Sequence, residues 1–314
     1  MKIMNVYDKN KVLVIKLGQN DVEGMLINHD LNDQGNFSFM EKEFVDEVMN
    51  CLPEYAMGYD VGTVSPMQMI PYLRETAKSV IRLKKIEQIK NYLDANTPYE
   101  QWDKGIYKIY NSKGIFSELI LHFILSEFKG TIPLISKIYY RDSNAIEAHG
   151  LDAVHITTED KKLCLGETKF YNDGKQGIRE LIDDLVNHFN HDYLKEQFVV
   201  ISRALVHNNE MREEWINKLN EANRLEEKLN MIVIPLLCIY EDGIADKVIS
   251  AINSGTTADT LYFEHVSALK DYFDKNNEYK NKERVQVLLI LLPVQSKNRI
   301  VAEMLKRIYY MQNI

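Results

Sequence analysis

The sequence of 314 residues contains few cysteines, no long hydrophobic run and no excess of positive charge. Its three cysteines, Cys51, Cys164 and Cys238, lie far apart and form no C-x-x-C pair. That argues against a zinc knuckle or a disulfide framework and fits a reducing compartment. The two longest apolar runs, Met231–Tyr240 and Val285–Val294, span 10 residues each, too few to cross a bilayer. Since the N-terminus also lacks the features of a signal peptide, we expect a soluble, cytoplasmic protein with no membrane association.

Negative charge predominates, but it is unevenly distributed. The 38 Lys and Arg against 46 Asp and Glu give a net charge of −8, which excludes a protein that coats nucleic acid through overall basicity. Residues 70–113 and residues 270–314 each carry 9 basic and 5 acidic residues, net +4, whereas residues 114–269 carry 15 and 25, net −10. A chain of this kind handles nucleic acid only through a local patch, a metal or a partner.

Hydrophobic patterning predicts an α/β fold in two parts. Residues 1–113 are expected to form an N-terminal α/β accessory region, and residues 114–314 a second domain. Thr97-Pro98 and the glycines that follow place the boundary between them. The elements expected in the first part are a strand at Val12–Ile15, a helix at Glu41–Cys51, a basic helix at Pro71–Asp94 and a linker with a short structured piece at Asn96–Gly114.

The second part shows the order helix, three strands, helix, strand, which indicates a mixed sheet wrapped by additional helices. A proline within the last of these strands, Pro235, is expected at an edge or a bulge. The expected elements are a buried helix at Gly114–Phe128, strands at Ile132–Arg141, Leu151–Thr157 and Leu163–Phe170, an amphipathic helix at Gly177–Tyr193, a charged helix at Asn208–Asn230, a strand at Met231–Tyr240, and helices at Asp246–Asn253, Asp259–Asp274, Glu283–Leu292 and Asn298–Met311.

Charged residues interrupt two otherwise apolar strands of this second part. Glu167 and Lys169 are two residues apart in one strand, so their side chains point to the same side. Asp152 lies in the preceding strand and can reach them across a hairpin. Two carboxylates and an ammonium on a half-buried face are unfavourable unless another group compensates their charge.

A divalent cation would provide that compensation. The carboxylates of Asp152 and Glu167 and the backbone carbonyl of Thr168 are suitable ligands for Mg²⁺ or Mn²⁺. Lys169 would orient or help to deprotonate a water and stabilise an anionic transition state. Glu118, on the buried helix, is a candidate fourth carboxylate. The pattern therefore predicts metal-dependent hydrolysis of a phosphodiester.

The same residues carry a family resemblance. The order Glu118, Asp152 and Glu167-Thr168-Lys169 resembles the PD-(D/E)xK nuclease superfamily. More narrowly, Gly150-Leu-Asp-x-x-His155 followed by Leu165-Gly-Glu-x-Lys-x-Tyr171 is similar to the HamA family, the nuclease subunits of the Hachiman antiphage defence system. The resemblance covers roughly residues 114–240 and, less clearly, the C-terminal helices.

This resemblance implies a restriction-endonuclease-like core with additional N- and C-terminal helices. It implies a magnesium-dependent deoxyribonuclease in which Asp152 and Glu167 bind the metal, Lys169 is catalytic and Glu118 is the helix carboxylate. It also implies DNA as substrate and a HamB-like superfamily 2 helicase as partner, which senses aberrant DNA and restrains the nuclease. The chain departs from some exonuclease members, which have a tyrosine four residues after a glutamine, because Gln176 is followed by Glu180.

Structural roles remain open for several of these residues. Glu167 and Lys169 could form an ordinary ion pair on an edge strand. His155 lies on the opposite strand face from Asp152, which favours a structural histidine, and His122 could be simple core packing. His188 and His191 are spaced i, i+3, which could suit a metal, but their helix buries its apolar residues, so both are expected on the solvated face. His149 could reach phosphate, although exposure to solvent is favoured. Glu147 could replace Glu118 as an extra carboxylate, but its expected loop position ranks it lower.

Two other functions also remain open. The chain could be a non-catalytic, nuclease-like module that senses DNA or regulates a helicase, in which case its carboxylates would bind no metal. It could instead be a stand-alone endonuclease that cuts particular sequences without a partner. Metal binding separates the first of these from a nuclease, and cleavage by the isolated chain identifies the second.

Overall fold

The computed structural model describes residues 12–19, 21–58, 64–81, 86–111, 114–134, 151–204 and 225–314. Glu147 and His149 lie outside the described residues, as do most of the strand expected at 132–141 and most of the charged helix expected at 208–230.

The described part of the chain alternates between short strands and helices. The strands are β1 (Leu13–Gly18), β2 (Val22–Ile27), β3 (His29–Leu31), β4 (Phe37–Phe39), β5 (Thr131–Pro133), β6 (Ala153–Thr157), β7 (Leu163–Tyr171), β8 (Ile232–Tyr240) and β9 (Gln286–Pro293). The α-helices are α1 (Glu41–Asn50), α2 (Leu52–Met57), α3 (Met69–Val80), α4 (Lys90–Asp94), α5 (Lys104–Asn111), α6 (Ile115–Lys129), α7 (Gly174–His188), α8 (His191–Ala204), α9 (Leu225–Asn230), α10 (Ile244–Asn253), α11 (Ala258–Asn276) and α12 (Lys297–Asn313).

One mixed sheet of seven strands organises the fold, in the order β1-β2-β9-β8-β7-β6-β5. The neighbours β2, β9, β8 and β7 run parallel, whereas β1, β6 and β5 join antiparallel. The central strands β8 and β9 are apolar along almost their whole length and nearly fully buried. A continuous apolar run is typical of parallel strands that are covered on both faces. The expected α/β fold with a mixed sheet is confirmed.

Helices cover both faces of the sheet, and β7 shows which helix covers which face. A Cβ placed on Gly166 would lie 2.8 Å from Cδ2 of Leu121, so α6 packs on the face of Gly166. A Cβ placed on Gly177 of α7 would lie 2.6 Å from Sγ of Cys238, the residue paired with Lys169. Because side chains alternate along a strand, α6 covers one face and α7 covers the other.

The α6 face also carries helices from both ends of the chain. Phe44 of α1 packs edge-on against Phe123 of α6, with ring centroids 6.1 Å apart. Arg299 of α12 pairs with the buried carboxylate of Glu41 at 3.1 Å. The N-terminal helices α1–α3 and the C-terminal helix α12 therefore lie together on the α6 side of the sheet.

Three predictions of local structure are wrong. The segment Glu283–Leu292, expected to be a helix, contains β9. The single helix expected at Pro71–Asp94 is replaced by α3 and α4, whereas α5 agrees with the short structured piece expected within the linker. Pro235 lies in central strand β8 rather than at an edge; the residue pairs between β7 and β8 continue in the same register on both sides of it. Proline has no N–H to donate, which accounts for the interrupted pairing at Gly166.

Candidate active site

Asp152 is held against β7 by two hydrogen bonds to the backbone of that strand. It lies immediately before β6, and its N–H donates to the carbonyl of Gly166 at 2.9 Å. Its carboxylate Oδ2 accepts the N–H of Thr168 at 2.9 Å. The last backbone pair between β6 and β7 joins Ala153 to Gly166. Beyond that pair, the side-chain carboxylate of Asp152 accepts the next hydrogen bond from β7. The aspartate is thereby fixed beside Glu167 and Lys169.

Glu167 is buried in the middle of β7, with a relative exposure of 2%. Its neighbour in the adjacent parallel strand is Leu236. By alternation its side chain points to the α7 face, as does that of Lys169. Carboxylate Oε1 of Glu167 lies 3.5 Å from Nδ1 of His188, near the end of α7. A buried carboxylate thus faces an imidazole across the gap between strand and helix.

Lys169 lies on the same face, and α7 supplies its partner. The ammonium Nζ lies 2.5 Å from Oδ2 of Asp184, and both side chains are at least three-quarters buried. Burial disfavours the charged lysine, but the hydrogen bond and charge of Asp184, together with the charges of Glu167 and Asp152, raise its pKa overall. These contributions show that three carboxylates surround one ammonium, which is held in its charged form.

The carboxylates and the imidazole form a donor set suited to a cation. One ligand atom from each of Glu167, Asp184 and His188 lies within 4.8 Å of the other two. Carboxylate oxygens suit Mg²⁺ and Mn²⁺, and an imidazole nitrogen is accepted more readily by Mn²⁺ than by Mg²⁺. The chemistry of these donors, with Asp152 beside them, fits a bound divalent cation.

Tyr193 of α8 closes one side of this cluster. Its ring stacks on that of His188, with centroids 5.4 Å apart and planes inclined by 24°. Burial raises the pKa of the Tyr193 hydroxyl, and the negative charges of Glu167, Asp152 and Asp184 raise it further. Tyr193 therefore remains a neutral phenol beside the carboxylates.

Sequence reasoning missed Asp184 and placed His188 wrongly. The prediction of a solvated His188 is wrong, because the imidazole is half-buried against Glu167. Asp184 and His188 are four residues apart on α7, so they lie on one side of the helix. That spacing, at the border of the apolar stripe, was the signal available in the sequence.

Glu118 is placed differently from the other predicted carboxylate residues. It lies on α6, which covers the face of Gly166 rather than the face of Glu167. Carboxylate Oε2 of Glu118 accepts the hydroxyl of Tyr55 at 2.5 Å within the buried interior. Thr168 is buried beside Asp152, with its side chain on the α6 face. Metal binding by Glu118 and by the carbonyl of Thr168 stays a prediction.

A separate chain of hydrogen bonds occupies the α6 face. Nδ1 of His155 lies 2.8 Å from the hydroxyl of Thr131, and Nε2 of His155 lies 3.1 Å from Nδ1 of His122. Nε2 of His122 in turn lies 3.1 Å from a carboxylate oxygen of Glu54. Burial and the neighbouring His122 hold the pKa of His155 well below its usual value. His155 is thus a neutral histidine in a buried network, on the face opposite Asp152 as expected.

Comparison with known protein families shows which family the chain belongs to. The family model for HamA matches residues 5–308. The chain belongs to the HamA family. Membership of HamA implies a role in Hachiman antiphage defence. The HamA match begins well before residue 114, so it includes the N-terminal region as well as every residue of the cluster between Asp152 and Tyr193.

Further comparisons add no relatives to the HamA match. Comparison of the chain with curated proteins and with solved structures gives no significant match. Among the helices in the described ranges, none combines the length and the apolar character that crossing a lipid bilayer requires.

Proposed function

We propose that the chain is a metal-dependent DNA nuclease that acts as the effector of a Hachiman helicase–nuclease pair. The observation that carries the proposal is the convergence of Asp152, Glu167 and Lys169 on one face of the sheet, where the charges of both carboxylates act on the lysine. Groups that shift one another's pKa in this way mark a candidate functional site. Membership of HamA supplies the biological context of antiphage defence.

The order of the elements around the cluster supports the nuclease proposal. Helix α6 precedes the antiparallel strands β5, β6 and β7, and α7 then leads to the parallel strand β8. This order agrees with the helix, three strands, helix and strand of the PD-(D/E)xK core that the sequence resembles. In this proposal, the remaining strands and helices are additions to that core.

Each residue of the cluster has a distinct task in the proposed reaction. Asp152 and Glu167 would hold Mg²⁺ or Mn²⁺, with His188 and Asp184 beside them. The cation would supply Lewis-acid polarisation of the scissile phosphate and a nucleophile at neutral pH. Lys169, kept charged by its carboxylate neighbours, would donate hydrogen bonds to the phosphoryl oxygens as negative charge develops. Asp184 positions that ammonium through their ion pair.

The proposal includes DNA as substrate and a superfamily 2 helicase as partner. The segment 114–269, which carries all five residues of the cluster, has a net charge of −10. Phosphate contacts dominate the affinity of proteins for DNA, so an acidic surface binds DNA weakly by itself. A helicase that holds the DNA and presents it to the nuclease would remove this difficulty.

Cleavage assays with matched variants test the proposal. The chain is purified with its helicase and incubated with DNA and Mg²⁺ or Mn²⁺. We expect Glu167→Gln and Lys169→Ala each to abolish cleavage, while circular dichroism shows an unchanged fold. The exposed residues Glu159 and Lys247 provide the controls Glu159→Gln and Lys247→Ala, which should cleave normally. Cleavage that persists in Glu167→Gln or Lys169→Ala contradicts the assigned roles.

A non-catalytic module is the second candidate, and two contacts favour it. The hydrogen bond from Thr168 to Asp152 and the ion pair of Lys169 with Asp184 each give a polar residue a structural partner without any metal. In that case the chain would sense DNA or regulate the helicase. Calorimetry with Mg²⁺ and Mn²⁺ separates the candidates, because a module of this kind would show no binding that depends on Asp152 and Glu167.

A further inference from the structure

A second concave site lies away from the proposed active site. A cavity of about 490 Å³ opens between α12, the start of α1 and the segment from Tyr92 to Trp102. Helices α1 and α12 both lie on the α6 side of the sheet, whereas Glu167 and Lys169 face α7. A cavity of this size can accommodate a small ligand.

Basic side chains line one side of this cavity. The wall from Tyr92 to Trp102 carries no lysine or arginine, so the positive charge comes from α1 and α12. Three cations line it: Lys42 from α1, and Arg299 and Lys306 from α12. Because Arg299 is paired with Glu41, Lys42 and Lys306 supply the positive charge that favours an anionic ligand, in a chain whose net charge is −8.

The acidic residues of the cavity already have partners within the protein. Glu303 pairs with Arg307, the next turn along α12. Glu100, which is exposed, accepts a hydrogen bond from the hydroxyl of Tyr99, and this bond, after burial, raises the pKa of that tyrosine; a hydroxyl does not neutralise a carboxylate. Nζ of Lys306 likewise donates to a neutral group, the amide of Asn96, at 3.1 Å. The charge of Lys306 is therefore available to an anion, since an amide does not neutralise it.

Aromatic rings form one wall of the cavity. Tyr92, Tyr99 and Trp102 line it, and the ring of Trp102 stacks on that of Tyr107, with centroids 6.0 Å apart and planes inclined by 17°. The indole N–H of Trp102 donates to the carbonyl of Thr97 at 3.0 Å, and the hydroxyl of Tyr107 donates to the carbonyl of Tyr99 at 2.5 Å. These bonds fix the side chains of Trp102 and Tyr107, so the part of the wall that Trp102 forms is ordered before a ligand binds.

We propose that this cavity binds a nucleotide unit. The phosphate would lie between Lys42 and Lys306, with Arg299 at the side, and the base would stack against Tyr92 and Tyr99. Cations beside aromatic faces are the combination by which proteins bind nucleotides and single strands without reading their sequence. The unit is either a free nucleotide or the end of a single strand, since both present a base and a phosphate.

Calorimetric titration of the full chain tests this site without any cleavage. The probes are AMP, ATP and a tetramer of thymidylate with a 5′ phosphate, all in EDTA so that the metal site stays empty. We expect binding of at least one probe, weakened about tenfold or more in the double variant Lys42→Ala/Lys306→Ala. Binding of AMP or ATP identifies a free nucleotide as the ligand, and binding of the tetramer alone identifies a strand end.

Two controls make the result decisive. The double variant Lys247→Ala/Lys275→Ala removes the same charge from exposed positions elsewhere and should bind as the unchanged protein does. Glu167→Gln should also bind normally, because the proposed cavity is separate from the proposed metal site. No binding of any probe at millimolar concentration overturns the inference. An equal loss of affinity in both double variants overturns it too, because binding would then reflect charge alone.

Discussion

The ammonium of Lys169 lies 2.5 Å from the carboxylate of Asp184, so a helix residue holds the lysine of the Glu-x-Lys motif in place. The two residues belong to consecutive elements, β7 and α7, and their ion pair is mostly buried. Because the lysine is fixed by the helix, the position of α7 relative to β7 sets the geometry of the cluster.

Removal of the carboxylate of Asp184 should affect the site more than the fold. In Asp184→Asn we expect the pKa of Lys169 to fall, since its first charged partner is lost. The free energy of unfolding should decrease by about 1–2 kcal/mol, as for a partly buried ion pair. Metal-dependent cleavage should drop at least about tenfold. The adjacent and exposed Asp183 provides the control, Asp183→Asn, which should change neither quantity. Full cleavage by Asp184→Asn would contradict the positioning role.

Replacement of His188 should alter the preference between metals. The imidazole lies 3.5 Å from the carboxylate of Glu167, within the donor set. We expect His188→Ala to weaken binding of Mn²⁺ by about tenfold or more and binding of Mg²⁺ much less, because nitrogen donors favour the softer ion. Calorimetric titration with each ion measures this difference. Asn187→Ala, one residue away and exposed, should bind both ions normally. An equal loss for both ions would show that His188 merely supports the site.

A methyl group at Gly166 should destabilise the sheet next to Glu167. A Cβ there would lie 2.8 Å from Cδ2 of Leu121 and 3.2 Å from Cβ of Ala153. Such crowding costs about 1–3 kcal/mol, so Gly166→Ala should lower the midpoint of urea unfolding. Gly18→Ala is the control, since its Cβ would meet Cγ2 of Ile15 at an ordinary 3.7 Å. Equal stability of the two variants would disagree with the close packing of α6 on β7.

Stability should fall as the solution becomes acidic, because His155 stays neutral in the fold. Burial, and then the charge of His122, place its pKa well below the usual value of 6.5. Below pH 6.5 the unfolded chain therefore binds a proton that the folded chain does not. The free energy of unfolding should decrease below that pH by at most about 1.4 kcal/mol per pH unit from this group. Urea unfolding at several pH values measures the slope. His155→Gln should reduce it, and an unchanged slope would assign the dependence to other groups.

The sequence alone predicts those parts of the fold in which apolar spacing is unambiguous. Helix α6 is buried almost all round, and α7 has a regular apolar stripe, so both are found within a few residues of their expected bounds. Strand β9 was predicted as a helix because a run of consecutive apolar residues fits a buried helix and a buried strand equally well. The partner strands β8 and β2, which resolve this ambiguity, are distant in sequence.

The residues of the candidate site also divide into those that local sequence patterns reveal and those that only tertiary packing reveals. Asp152, Glu167 and Lys169 attract attention because charges in apolar strands are uncommon, and strand alternation places them on one face. Asp184 and His188 lie on a helix with many polar residues, so nothing in their residue types distinguishes them from solvated neighbours such as Asp183. Asp184 and His188 can be recognised as members of the cluster only once the packing of α7 over β7 is known. That packing is a tertiary relationship, and local patterning contains no information about it.

The pairing of β2 with β9 joins the first thirty residues of the chain to its last thirty within one sheet. A fragment that begins at residue 114 would leave the apolar strand β9 with an open edge of unpaired backbone groups. Open edges of this kind recruit strands from other molecules. Such a fragment is therefore expected to self-associate, whereas the whole chain pairs β9 on both sides.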